Sequence, residues 1–178
     1  ILMKKLSIIV VGLALFSRAG GSTPTPGEDE VFSNLFNSSR ASSVTAEKLT
    51  NAVNKAFTQK FGKAQNVNWK KFETLYFAKF ELNKKEFNAA YSEEGEMIAI
   101  SRNVHIDQLP LAVTESLNEF YQDYKLPGNV TEIVMQGDTN YYLMVEGKTR
   151  YLQLKCSPDG NISIDKRIKK KILVGSVS

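Results

Sequence analysis

Hydrophobic positions change their period three times along the chain. From Thr45 onward, Leu49, Val53, Phe57 and Phe61 recur every fourth residue with Ala56 beside them, which places one apolar stripe on a helix. Thr45 reads as its N-cap, Glu47 falls in the first turn and Gly62 closes it. Strand-like runs follow at 67–72, 75–82, 86–91 and 96–104, with turns at Asn83-Lys84 and Glu93-Glu94-Gly95. A second helical pattern opens at Pro110. Ala112, Val113, Leu117, Phe120, Tyr121 and Tyr124 make its apolar face, and Pro127-Gly128 stops it. Strand runs resume at 130–136, 141–146, 150–156 and 161–167, separated by Gly137-Asp138, Gly147-Lys148 and Pro158-Asp159-Gly160.

The two halves match each other. Ser92-Glu93-Glu94-Gly95 corresponds to Ser157-Pro158-Asp159-Gly160 at an offset of 65, where Tyr76-Phe77 also meets Tyr141-Tyr142. Ala52-Val53 corresponds to Ala112-Val113 at an offset of 60. The expected fold is therefore α+β: a tandem repeat of one helix plus a four-stranded antiparallel meander, about 44–106 and 107–168, with both helices on one face.

The ends of the chain carry different signals. Lys4-Lys5, the apolar run Leu6–Phe16 and Ser17-Arg18-Ala19 form the three parts of a secretory signal peptide over residues 1–19. At about 1.5 Å per residue the apolar run is too short for a hydrocarbon core of about 30 Å. Residues 20–43 read as a tether rich in Gly, Ser, Thr and Pro, interrupted by Val31, Phe32, Leu35 and Phe36 at helical spacing; these dock on the domain or on a partner. Residues 169–178 read as a basic tail.

Charge sharpens this division. The 178 residues hold 23 Lys+Arg against 19 Asp+Glu, but three of the cations precede the expected cleavage and five lie between Lys166 and Lys171. From Val44 to Asp165 there are 14 basic and 16 acidic side chains, so the domain carries no electrostatic footprint for nucleic acid. The tail reads as a solvated end, with contact to an anionic membrane surface as the other reading.

Strand alternation puts Tyr76, Ala78, Phe80 and Leu82 toward the helices, with Tyr141, Leu143 and Val145 as their matches. The uncovered face then holds Leu75, Phe77, Ile98, Ile100, Tyr142 and Met144, mixed with Lys79, Glu81, Arg102 and Glu146. An apolar set rimmed by charge is the pattern of a contact surface, for a partner, the tether or a second copy of the chain.

Catalytic chemistry is sparse. Cys156 alone forms no intrachain disulfide or cysteine cluster, and His105 alone forms no paired-histidine zinc site. His105 with Asp107 has the form of a base and its orienting carboxylate, but Asp107 also suits a cap for the helix that follows. Cys156 and Trp69 read as core residues. The chain shows no nucleophile elbow, phosphate loop or calcium loop. No enzyme activity, cofactor or metal is expected.

Ala56-Phe57, Val67-Asn68-Trp69, Ala78-Lys79-Phe80, Ala89-Ala90-Tyr91, the Gly95 turn and Leu109-Pro110 together resemble the PepSY-like family. These are small exported proteins known mainly from Gram-negative bacteria and similar in fold to β-lactamase inhibitor protein. The resemblance spans about Thr45 to Arg167 and implies tandem helix-plus-sheet repeats and a non-catalytic binding role, with no substrate; the uncovered sheet face and the leader together lead us to expect a periplasmic or secreted domain that recognises an envelope or extracellular protein or peptide. Carriage of a small amphiphile and inhibition of a hydrolase are the alternatives. The repeats of the inhibitor are stapled by disulfides, which a single Cys156 cannot form, so none of its contact residues is carried over.

Overall fold

The computed structural model describes residues 41–170. Nine strands form one antiparallel sheet in sequential order: β1 (Ser42–Val44), β2 (Gln65–Phe72), β3 (Leu75–Leu82), β4 (Lys85–Ser92), β5 (Met97–His105), β6 (Asn129–Met135), β7 (Asp138–Glu146), β8 (Arg150–Cys156) and β9 (Ile162–Lys169). Two short helices, α1 (Asn51–Phe61) and α2 (Leu111–Phe120), interrupt the series. The expected signal peptide, most of the expected tether and most of the expected tail lie outside the described residues. Within them, the sheet begins at Ser42, inside the stretch read as tether.

This corrects the expected tandem of helix-plus-meander units. Strands hold 52% of the described residues, and the sheet does not divide. β5 pairs with β6 in continuous register from Ala99↔Met135 to His105↔Asn129, so backbone hydrogen bonds run unbroken across the supposed boundary. β1 adds a strand on the outer edge of β2, with Val44 opposite Trp69. The match between the halves survives as a repeated contact instead. Gly95 (φ +84°) and Gly160 (φ +90°) occupy the β4–β5 and β8–β9 turns, each against the first turn of a helix. A β-carbon would lie 2.6 Å from the Ala52 carbonyl oxygen at Gly95 and 2.7 Å from that of Ala112 at Gly160.

The start of α1 also differs from expectation. Thr45 opens a separate 3₁₀ turn, Ala46–Lys48, and the N-cap is Thr50. Its Oγ1 accepts a hydrogen bond from the Val53 amide at 3.2 Å and donates to the Glu93 carbonyl at 2.8 Å, so the cap also fastens the helix to the β4–β5 turn. Val53, Phe57 and Phe61 pack on Trp69, Tyr76, Ala78, Phe80, Ala89 and Tyr91. Phe57 is the hub, with ring centroids 5.0 Å from Trp69, 5.1 Å from Phe80 and 5.5 Å from Phe61. α2 places Val113 and Leu117 on a second core of Val104, Val130, Tyr141, Leu143, Val145, Leu152, Leu154 and Cys156. Phe120, expected on that apolar face, is exposed at the end of the helix, whereas Tyr121 and Tyr124 pack on the core.

Candidate functional site

The sheet face away from both helices is built by alternation along each strand. Phe77 sits opposite Ala90, Ala90 opposite Ala99, and Ala99 opposite Met135, which makes one apolar row across β3, β4, β5 and β6. Phe72, Leu75, Ile98 and Met135 pack around it, half-buried. Farther along the same face, Tyr142 lies opposite Thr131 and Lys155, and Met144 opposite Gln153.

Of the six residues expected here, the structure gathers Leu75, Phe77 and Ile98 in one cluster and sets Tyr142 and Met144 apart on the same face. Ile100 is corrected to the other side, where it packs with the α1 core. The cause is a bulge in β5. Tyr91 pairs with Met97 while Ala90 pairs with Ala99, so Ile98 is the extra residue. Ile98 and Ala99 consequently share a face, and every later residue of β5 is turned relative to simple alternation. The same shift moves Arg102 from the expected rim to the helix side. There its Nε donates to Glu132 Oε1 at 2.7 Å and its terminal nitrogen to Oε2 at 3.1 Å. This two-pronged bond holds the guanidinium pKa above its ordinary value. The pair occupies the sheet between the α1 and α2 cores, beside Tyr141.

The face is not a bare patch. Phe77 is 1% and Tyr142 2% exposed, although neither helix lies over them, while Met144 is 39% exposed. Ser101 and Gln153 are buried on the same face. Charged groups border it. Lys79 pairs with Glu86 at 2.6 Å, and Glu146 accepts from Lys170 Nζ at 2.6 Å, which holds its carboxyl below the usual range. Lys155 lies 5.7 Å from the Tyr142 ring centroid. Sequence reasoning missed Phe72, Ala90, Ala99 and Met135. Phe72, Ala90 and Met135 were legible from strict alternation in β2, β4 and β6, but Ala99 required knowledge of the bulge.

The other candidates sit elsewhere. His105 Nδ1 and Asp107 Oδ2 are 3.0 Å apart and both side chains are exposed, with the ring nitrogen also facing the Asp107 amide in the short turn before α2. Cys156 is fully buried in the α2 core, which pushes its thiol up to about 12. Trp69 is in the α1 core. Among the described residues, no group of three His, Cys, Asp or Glu side chains could hold a metal ion, and no helix is long and apolar enough to cross a membrane.

Comparison with known proteins places the fold. No family model matches the chain, and no curated protein does. Solved structures do. A BLIP-like protein (BLIP, β-lactamase inhibitor protein) from Bacteroides fragilis superposes with a TM-score of 0.60 at 17% identity, over 71% of this chain and 92% of that one. A DUF2874 family protein from Bacteroides ovatus gives 0.58 at 20% identity, over 68% and 88%. A protein of Bacteroides eggerthii provisionally assigned to the periplasm gives 0.57 at 17%, over 68% and 88%. The fold of this chain is BLIP-like.

Proposed function

We propose that this chain is an exported, non-catalytic binding protein of the PepSY-like kind, which recognises a protein or peptide through the sheet face opposite its helices. The observation that carries this reading is the apolar row of Phe77, Ala90 and Ala99 with Phe72, Leu75, Ile98 and Met135 around it, on the one face that neither helix occupies. An apolar strip bordered by Lys79, Glu86 and Glu146 provides both a desolvated centre and a charged rim. An extended polypeptide crossing it would set alternate side chains on the row. The leader pattern at the N-terminus and the periplasmic assignment given to one structural relative support an envelope location.

The test is crosslinking and affinity capture of the full chain from its native envelope, comparing the unaltered protein with Leu75→Glu and Ile98→Glu. Both positions are half-buried and tolerate a polar group better than Phe77 does. The expected result is loss of a specific polypeptide with unchanged circular dichroism. Retention of the same partner by both variants would place recognition elsewhere.

A further inference from the structure

We propose that the outer edge of β9, over residues 166–169, takes an added antiparallel strand from a partner polypeptide, an extended segment with carboxylates at alternate positions and an aliphatic residue between them. Among the described residues β9 is the last strand at that end of the sheet. Its register fixes which groups face outward. The Lys170 amide donates to the Thr149 carbonyl at 3.0 Å, and Arg150, Tyr151, Leu152 and Gln153 pair in step with Lys169, Ile168, Arg167 and Lys166. Bonded and non-bonded pairs alternate along an antiparallel ladder. Lys166 and Ile168 therefore bond to β8, while Arg167 and Lys169 turn their N–H and C=O groups outward. A bulge at Asp165 ends this run, since Gln153 pairs with Lys166 but Leu154 with Ile164.

Side chains decide what the added strand must carry. Arg167 lies opposite Leu152 of the α2 core and Lys169 opposite Arg150, so these cations stand on the helix side of the edge. All of them are exposed, and among the described residues no carboxylate pairs with Arg150, Arg167 or Lys169. Like charges directly opposite destabilise a strand pair, and a carboxylate beside Lys169 relieves that repulsion. Ile168, between the two outward residues, points to the other face opposite Tyr151 and is 36% exposed. The edge thus presents cation, aliphatic, cation, and its complement is acidic, aliphatic, acidic. Other occupants fit less well. A second copy of β9 would set cations beside cations. A flat anionic membrane could meet the cations of one side but would leave the outward N–H and C=O groups without partners. This edge is separate from the Phe77 row, and the inference stands whether or not that row binds.

Fluorescence anisotropy of the full chain with a labelled peptide, Val-Glu-Val-Glu-Val-Glu-Val, tests it. In the proposed register each Glu stands opposite Arg167 or Lys169, so its own N–H points at β9 and the N–H of each Val points away. N-methylation of the Glu residues should weaken binding by about tenfold or more, whereas N-methylation of the Val residues should leave it unchanged. The counterpart with Lys in place of Glu should not bind. In the protein, Lys169→Pro removes an outward donor without touching the β8 ladder and should weaken binding with unchanged circular dichroism. Arg167→Glu with Lys169→Glu should abolish it. Leu75→Glu and Ile98→Glu should not alter it, so failure here and failure of the sheet-face reading are distinguishable. Equal binding by the two N-methylated peptides would reduce the contact to charge alone and overturn the proposal. So would absence of peptide binding, whether the chain instead binds phosphatidylglycerol vesicles, self-associates or does neither.

Discussion

Gly95→Ala probes the contact that fixes α1 to the sheet. Two costs arise. The turn needs φ +84°, which costs an L-residue roughly 1–2 kcal/mol. The new methyl would also stand 2.6 Å from the Ala52 carbonyl oxygen and 2.7 Å from its carbon, and both are backbone atoms that cannot rotate away. Relief requires moving the first turn of α1 outward by most of an ångström, against the Thr50 bonds to Val53 and Glu93. Overpacking of this kind costs about 1–3 kcal/mol, for a total of about 2–5 kcal/mol. At roughly 3 °C per kcal/mol for a domain of this size, Tm should fall by about 6–15 °C. Gly137→Ala separates the two costs, since Gly137 has φ +91° with no atom within 4 Å of an added β-carbon. It should lose only the conformational part. Gly160→Ala, with Ala112 in place of Ala52, should behave like Gly95→Ala. Urea denaturation followed by circular dichroism and by Trp69 fluorescence measures all three. Equal losses at Gly95 and Gly137 would refute the reasoning, because the helix contact would then contribute nothing.

Phe57→Ala removes the ring shared by Trp69, Phe80 and Phe61 and should cost about 3–5 kcal/mol, read as a lowered urea midpoint. Tyr91 and Cys156 are both desolvated and hold their protons to about 12 in the folded state. Stability is therefore intact below about pH 9, where the unfolded thiol stays protonated, and falls as pH rises from there toward 12. Cys156→Ala should flatten the first part of that decline in urea midpoints between pH 8 and 10.5. Replacing Arg102 with Met leaves the mostly buried Glu132 carboxylate unpaired and should cost about 1–3 kcal/mol, whereas Arg102→Met with Glu132→Leu should recover most of it in a double-mutant cycle.

Much of the fold was legible because strands and helices announce themselves by period. The alternation of Leu75–Leu82 put Tyr76, Ala78 and Phe80 on the α1 side, and the structure agrees. The cap was misplaced because Thr45 and Thr50 both precede apolar positions; only the second lies within reach of the Glu93 carbonyl, a contact 43 residues away in sequence. The internal match pointed to two units because local sequence records turns and helix contacts, not whether neighbouring strands pair. Pairing of β5 with β6 rests on backbone hydrogen bonds that any side chains permit, so a continuous sheet and a divided one read alike. The candidate face suffered from the same blindness. A bulge adds one residue without changing composition, and EMIAISRNV gives no local sign that Ile98 is the extra one.

That single extra residue determines what each face can do. Were Ile98 to take an ordinary place in the alternation instead of bulging, Ile100 and Arg102 would stand on the face away from the helices, and Ala99 would point toward them. A guanidinium would then interrupt the open face, and Glu132 would lie beneath the helices without its partner. With the bulge, Arg102 reaches Glu132 between the two cores, while alanine stays beside Phe77 on the outer row. Deleting Ile98 would remove the bulge and leave Met97 opposite Tyr91 and Ala99 opposite Ala90 as successive pairs, so every later side chain of β5 would keep its present face. Val104 would stay in the α2 core and Ile100 in the α1 core, and the loss would be confined to the Ile98 side chain beside Ala99. The bulge thus sets the character of the open face, because it takes up Ile98 without shifting the pairs that follow.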